Sequence, residues 1–198
     1  MDDGRAAVYL IAGLGNPGPD YRHTRHNLGS DVLEDLAGSL GVQWSGRMFK
    51  SLSARGFYQG KSLVLLRPET YMNLSGEAVR ACAHYYGASP EAVLVVHDDL
   101  DLPLGRVRVA RGGGAGGHKG VSSVIQHLGT RDFPRVRLGI GRPPERVPVE
   151  KYVLSPFTGN ERELVPKVVQ WGARACEVFV AEGPEAAMNL INGVDLTA

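Results

Sequence analysis

This chain of 198 residues is short of several features, and each shortage narrows what it can be. Cysteine comes to two residues, Cys82 and Cys176. Both fall in helical patterns, so they read as buried thiols of a reducing compartment and offer no disulfide framework. No apolar run approaches the ~18 residues that a membrane-spanning helix requires. The pattern Gly-x-Ser-x-Gly occurs nowhere, which argues against a hydrolase with a serine elbow. Neither cysteine sits in a loop of the kind that activates a thiolate. If the chain hydrolyses a bond, water activated by a histidine is the expected nucleophile. Internal repeats and long linkers are also missing, so a single domain spanning residues 1–198 is expected, long enough to bury a core. The start, Met1-Asp2-Asp3-Gly4-Arg5, is acidic and no secretory apolar segment follows it, which points to a cytoplasmic protein.

Charge is nearly balanced overall, at +1, but not along the chain. Ten Lys and Arg against three acids between Arg106 and Lys151 make a surplus of seven and leave the remainder negative. A locally basic surface on a neutral protein fits a polyanionic partner held by one face, although a solvated charged face would carry the same composition.

Hydrophobic spacing outlines the elements. Tyr9 to Ala12 reads as a short buried strand. Leu28, Val32, Leu33, Leu36 and Leu40 recur at helical spacing before Gly41, a C-cap candidate. Leu52–Tyr58 and Ser62–Leu66 form a predicted hairpin turning at Gln59-Gly60. A second helix starts near Ser75 and ends before Gly87. Val93–Val96, β-branched and apolar, reads as a central strand. Arg106–Arg111 alternates as a half-exposed strand does. Six glycines follow among residues 112–120, then a helix ending at Gly129, a strand over Val136–Ile140, a long helix from Asn160 and a short one after Gly183-Pro184. Strands alternating with helices imply a single α/β domain built on a twisted mixed, largely parallel sheet flanked by helices.

Gly13-Leu14-Gly15-Asn16-Pro17-Gly18 matches the dinucleotide fingerprint letter for letter. That fingerprint requires a helix to open at once beside the pyrophosphate. Here Pro17 and Pro19 intervene and the helical pattern starts about ten residues later, so the loop reads as a rigid turn that presents Asn16. His26, Asn16 and Asp98 all lie just past the ends of predicted strands, where ligand crevices form in open α/β sheets. Taken singly, His26 could be a satisfied polar histidine, Asp98 a solvated loop acid and Asn73 the cap of the second helix. The acids of His97-Asp98-Asp99-Leu100-Asp101 lack a second histidine at helical spacing, so no metal site is expected. The glycine loop opens a helix near His118-Lys119, whose free amides favour anions or carbonyl oxygens.

Together these segments resemble the bacterial-type peptidyl-tRNA hydrolases over nearly the whole chain. The resemblance runs through Gly13–Gly18, Tyr21, Thr24-Arg25-His26-Asn27 and Thr70-Tyr71-Met72-Asn73-Leu74-Ser75-Gly76. It continues through His97–Pro103, Gly116-Gly117-His118 and Arg137-Leu138-Gly139-Ile140-Gly141. It implies a monomer without metal or cofactor that hydrolyses the ester between an N-blocked peptide and tRNA, engaging the acceptor end and the 3′ CCA. By resemblance His26 is the general base, Asp98 orients it, and Asn16 distinguishes blocked from free aminoacyl ends. Tyr21, Tyr71 and Asn73 line the site, and Arg137 grips a tRNA phosphate. Two positions depart from the family. Lys119 stands where an asparagine that contacts substrate or water is usual, and is expected in the substrate site either as a phosphate contact or turned out to solvent; Ala110 occupies the place of a strand lysine, for which Arg108 or Arg111 can substitute. An RNA-binding module without chemistry would share the basic stretch but has no need of His26, Asp98, Asn16 and Asn73 together.

Overall fold

A computed structural model describes residues 7–198; the acidic start behind the expectation of a cytoplasmic protein lies outside them. Strand β1 (Val8–Gly13) leads through a loop to helix α1 (Leu28–Ser39). Three strands follow, β2 (Trp44–Met48), β3 (Ser51–Tyr58) and β4 (Lys61–Pro68), and then α2 (Ser75–Tyr86). The second half runs β5 (Val93–Asp99), β6 (Val107–Ala110), α3 (Lys119–Leu128), β7 (Arg135–Gly139), α4 (Val149–Val153), α5 (Glu161–Glu182) and α6 (Pro184–Ile191). Among the described residues the strands form one sheet in the order β2-β3-β4-β1-β5-β7-β6. The central four, β4, β1, β5 and β7, are parallel. The outer strands β2, β3 and β6 pair antiparallel with their neighbours.

Local chemistry accounts for most boundaries. The β3–β4 turn places Gln59 at φ 49° and Gly60 at φ 75°, both left-handed, as a two-residue hairpin with right-handed twist requires. Gly87 and Gly129 end α2 and α3 in the left-handed conformation. Two elements carry no such signal. In the β2–β3 turn Phe49 and Lys50 take φ 55° and 54°, positions where Asn and Gly are usual, so nothing in the sequence marks the hairpin. α4 is a single turn and a bit, hemmed by Pro148, too short for a periodic pattern. One sequence alternative also fails: the residue capping α2 is Leu74, without a side-chain bond, so Asn73 is not the cap.

The core lies on both faces of the sheet. On one face Leu33, Leu36, Val168 and Phe179 pack from α1 and α5 against Ile11, Leu94 and Val136. On the other, Val79, Cys82, Val121 and Val124 of α2 and α3 pack against Leu10, Val95 and Val64. Because α1 and α2 lie on opposite faces, the chain leaves β1 and β4 in opposite directions. A crevice opens at the carboxyl ends of β4, β1 and β5, the switch point of this sheet. Both cysteines are buried and free, and burial pushes the Cys82 thiol up to about 12, which keeps it protonated and inert. No described helix is long and apolar enough to cross a membrane.

Two glycines set how closely α1 approaches that crevice. A Cβ on Gly29 would lie 2.3 Å from the Val96 carbonyl oxygen, and one on Gly13 would lie 2.4 Å from that of Gly29. Backbone of β1, α1 and β5 meets here without side chains between. Gly29→Ala is expected to destabilise the fold by about 1–3 kcal/mol through overpacking against immobile backbone. Gly38→Ala, in the same helix with open space around it, should instead stabilise by about 0.4–1 kcal/mol. Chemical denaturation of the two variants checks both signs.

Candidate active site

The loop after β1 is tied down before it reaches the cleft. The Asn27 side chain grips the Asn16 backbone from both sides, accepting from its N–H at 2.8 Å and donating to its carbonyl at 2.9 Å. A Cβ on Gly15 would come within 3.1 Å of that Asn27 amide, so the glycine there admits a side chain of the same protein, not a phosphate. Asn16 Oδ1 accepts the Met72 N–H at 2.8 Å. That bond orients the side-chain amide and leaves its NH2 as the group free for a ligand.

His26 sits in a 3-10 turn, Arg25–Asn27, at the entry to α1. Its Nδ1 lies 3.0 and 3.1 Å from the two oxygens of Asp98, near the end of β5. Asp98 is 2% exposed. Its Oδ1 meets a second imidazole, that of His118, with Nε2 at 2.9 Å. His118 is the N-cap of α3, and its Nδ1 accepts the backbone N–H groups of Gly120 and Val121. An Nδ1 that accepts cannot carry hydrogen, so Nε2 must, and His118 is held as a neutral donor to Asp98. Burial alone would raise the Asp98 carboxyl, but the two imidazoles outweigh it and hold the group well below the ordinary carboxylate range. With Nδ1–H of His26 donated to the carboxylate, its Nε2 is left as a proton acceptor on the cleft side.

His26, Asp98 and His118 also have the composition of a metal site, with ligand atoms within 4.8 Å of one another. The donor chemistry does not fit one. For His118 Nε2 to bind a metal its proton would have to move to Nδ1, against the two amides that cap α3. His97 lies on the far side of His118, with ring centroids 4.9 Å apart. Its Nδ1 donates to the Asp98 backbone carbonyl at 2.7 Å, and its Nε2 is buried with no partner among the described residues.

The cleft over these groups has a volume of about 580 Å³. Asn16, Tyr21, Tyr71 and Asn73 line one side, and the glycine loop with Lys119 the other. Val149, Glu150, Val153 and Leu154 form a third wall from α4. Arg25 secures that wall: its guanidinium lies 4.3 Å from the Tyr152 ring centroid, bonds to Ser155 and pairs with Glu161 at 2.6 Å. The structure therefore brings Asn16, Tyr21, His26, Tyr71, Asn73, Asp98 and Lys119 to one cleft.

Arg137 lies beside it, on the sheet. His97 is in register with Arg137, and Arg137 with Arg108. Since Val136 and Leu138 face α5, these three side chains share the opposite face. Arg137 Nε donates to Asp99 at 2.7 Å, while Arg108 pairs with no described acid. Arg111 pairs with Glu185, which leaves Arg108 as the neighbour of Arg137. One residue of the basic stretch is not on the surface at all. Arg135 is 3% exposed, stacks on Phe133 and donates to the carbonyls of Gly113 and Gly114, so it braces the glycine loop.

Sequence reasoning did not assign His118 or the α4 wall. The signal for His118 was its position between a glycine loop and a helix start, which is where a cap sits. For α4 there was none.

A seven-stranded α/β domain with a buried carboxylate shared by two imidazoles at its switch point has the layout of an enzyme site with acid–base groups. Comparison with known proteins is specific. The family model described as peptidyl-tRNA hydrolase matches residues 10–198. The peptidyl-tRNA hydrolase of Moorella thermoacetica is 46% identical over 188 residues, covering 94% of this chain and 99% of that protein. That of Clostridium acetobutylicum is 41% identical over 189 residues, covering 96% and 100%. The crystal structure of the Acinetobacter baumannii peptidyl-tRNA hydrolase superposes with a TM-score of 0.90 at 37% identity, covering 97% of this chain and 99% of that one. The chain belongs to the peptidyl-tRNA hydrolase family, and it is an enzyme of the hydrolase class.

Burial pushes the His97 imidazole down from 6.5 to about 3. The folded protein thus excludes a proton that the unfolded chain binds, and stability falls as pH drops from about 6.5 toward 3. Asp98 adds its own loss only below the ordinary carboxylate range. His97→Asn, which keeps a donor for the Asp98 carbonyl, is expected to flatten the slope between pH ~6.5 and ~4 by up to roughly 1.4 kcal/mol per pH unit. Denaturation midpoints measured across that range check it.

Proposed function

We propose that this enzyme hydrolyses the ester joining an N-blocked peptide to the 3′ end of tRNA, with water activated by His26. The observation that carries this reading is the His26–Asp98 pair, which holds Nδ1–H on a buried carboxylate and leaves Nε2 facing the cleft. Water attacks the ester carbonyl and passes a proton to His26 Nε2. The imidazolium is stabilised by Asp98 and returns the proton to the departing ribose oxygen, which releases free tRNA and peptide. Asn73, whose side chain lines the cleft, supplies donors for the oxyanion.

Selectivity for a blocked amine follows from the orientation of Asn16. Its exposed NH2 donates to the first amide carbonyl of a peptide. A free α-ammonium brings donors of its own, so it meets a donor and stays unpaired, which is costly in a partly enclosed site. Tyr21 and Tyr71 form the rim on which the peptide and the terminal base rest. Arg137 and Arg108 form a two-arginine phosphate contact on the sheet face, with Arg108 in the role that Ala110 cannot fill.

His26→Ala is expected to lower turnover of N-acetyl-aminoacyl-tRNA by ~10²–10⁴-fold while tRNA binding and the folded state persist. Turnover near that of the wild type in this variant would remove His26 from the chemistry. Arg137→Ala and Arg108→Ala should each weaken tRNA binding across all sequences and reduce the salt slope of log K by about 1. An unchanged slope in both variants places the phosphates elsewhere.

A further inference from the structure

One ion pair crosses the mouth of the cleft. Lys119, the first residue of α3, donates from Nζ to Glu150 Oε1 at 2.6 Å, and Glu150 is the second residue of α4. Both residues line the cleft, one from α3 and the other from α4. The two side chains are 64% and 78% exposed, so the pair stands in water and is readily broken. Lys119 also follows directly on His118, whose imidazole reaches Asp98. A group bound by this ammonium therefore lies in the same cleft as His26 and Asp98.

The pair is not needed to hold α4 in place. Tyr152 Oη donates to the Ile140 carbonyl at 2.6 Å, Val153 is buried, and Arg25 clamps the segment through Tyr152 and Ser155. What the pair does is cover a cation at the entrance to a site whose proposed ligand is a polyanion. The Lys119 bond and charge hold the Glu150 carboxyl below its ordinary value, so the carboxylate is ionised and in place at neutral pH.

We propose that Glu150 is the resting counter-ion of Lys119 and is displaced by a backbone phosphate at the 3′ end of the tRNA, which makes Glu150 a specificity-determining residue. This rests on the peptidyl-tRNA reading above. A single free anion must compete with a carboxylate already seated on Lys119. A phosphate belonging to a chain whose terminal nucleoside is already seated in the cleft arrives at high effective concentration and wins the exchange. When the product tRNA leaves, Glu150 recaptures the ammonium. Lys119 is thus paired in both states, and the cleft favours a tethered phosphate over an isolated one.

The test uses the full chain, the trinucleotide cytidylyl-cytidylyl-adenosine as the phosphate-bearing probe and adenosine as the phosphate-free one. The Glu150 carboxyl is followed by NMR titration of its side-chain carbon. In the free protein its pKa should lie below the ordinary glutamate value. With saturating trinucleotide it should rise to that value or above, and with adenosine it should stay low. Glu150→Gln should bind the trinucleotide about two- to fivefold more tightly than the wild type does, the range set by an exposed ion pair, with a smaller gain for adenosine. A Glu150 carboxyl that stays low in the trinucleotide complex, or an equal gain for both probes, overturns the exchange. Wild-type turnover of N-acetyl-aminoacyl-tRNA separates the two levels. If turnover is present while the carboxyl does not respond, only the exchange fails; if turnover is absent, the reading beneath it fails.

Discussion

The carboxylate of Asp98 is the group around which the cleft is organised. An anion this deep in a protein is costly unless donors meet it directly. Two imidazole N–H groups do so, one from the turn before α1 and one from the cap of α3. Those helices lie on opposite faces of the sheet, so the end of β5 becomes the point at which both faces converge. The arrangement is asymmetric in a way that matters for proton transfer. The amides of Gly120 and Val121 keep His118 in one neutral tautomer. His26 has no such restraint on its second nitrogen.

Close backbone packing supplies the precision. Gly13 and Gly29 let β1, α1 and β5 meet at backbone contact, and Gly15 leaves room for the Asn27 amide. These are the same demands that a dinucleotide loop makes of its glycines, namely tight turning and close approach, but here they are met by the protein's own atoms. Asn27 then holds the Asn16 backbone, Met72 orients the Asn16 side chain, and a free NH2 donor results. Arg25 and Arg135 do equivalent work on the other walls, one bracing α4 and the other the glycine loop. Two of the arginines in or near the motifs are thus internal struts, while Arg108 and Arg137 lie on the sheet face, Arg137 with its Nε on Asp99.

Much of the fold was legible in the chain because its strands and helices obey their own periods and are closed by Gly41, Gly60, Gly87 and Gly129. The exceptions have local causes. β2 follows no alternation and turns through Phe49-Lys50, residues that propensity does not place in a left-handed turn. α4 is held by Arg25, far along the chain, whose guanidinium stacks on Tyr152 of the helix and on Phe157 just after it, not by its own pattern.

The sequence alone determined the α/β class, the delayed start of α1, and the set of residues placed after strand ends. Each depends on neighbours within a few positions, through backbone dihedrals and side-chain period. Only the tertiary structure decided that His118 shares the carboxylate of Asp98, that Arg135 is buried, and that Lys119 meets Glu150 across the cleft. Those outcomes depend on which helix ends converge on one strand end, a matter of long-range packing that no local spacing encodes.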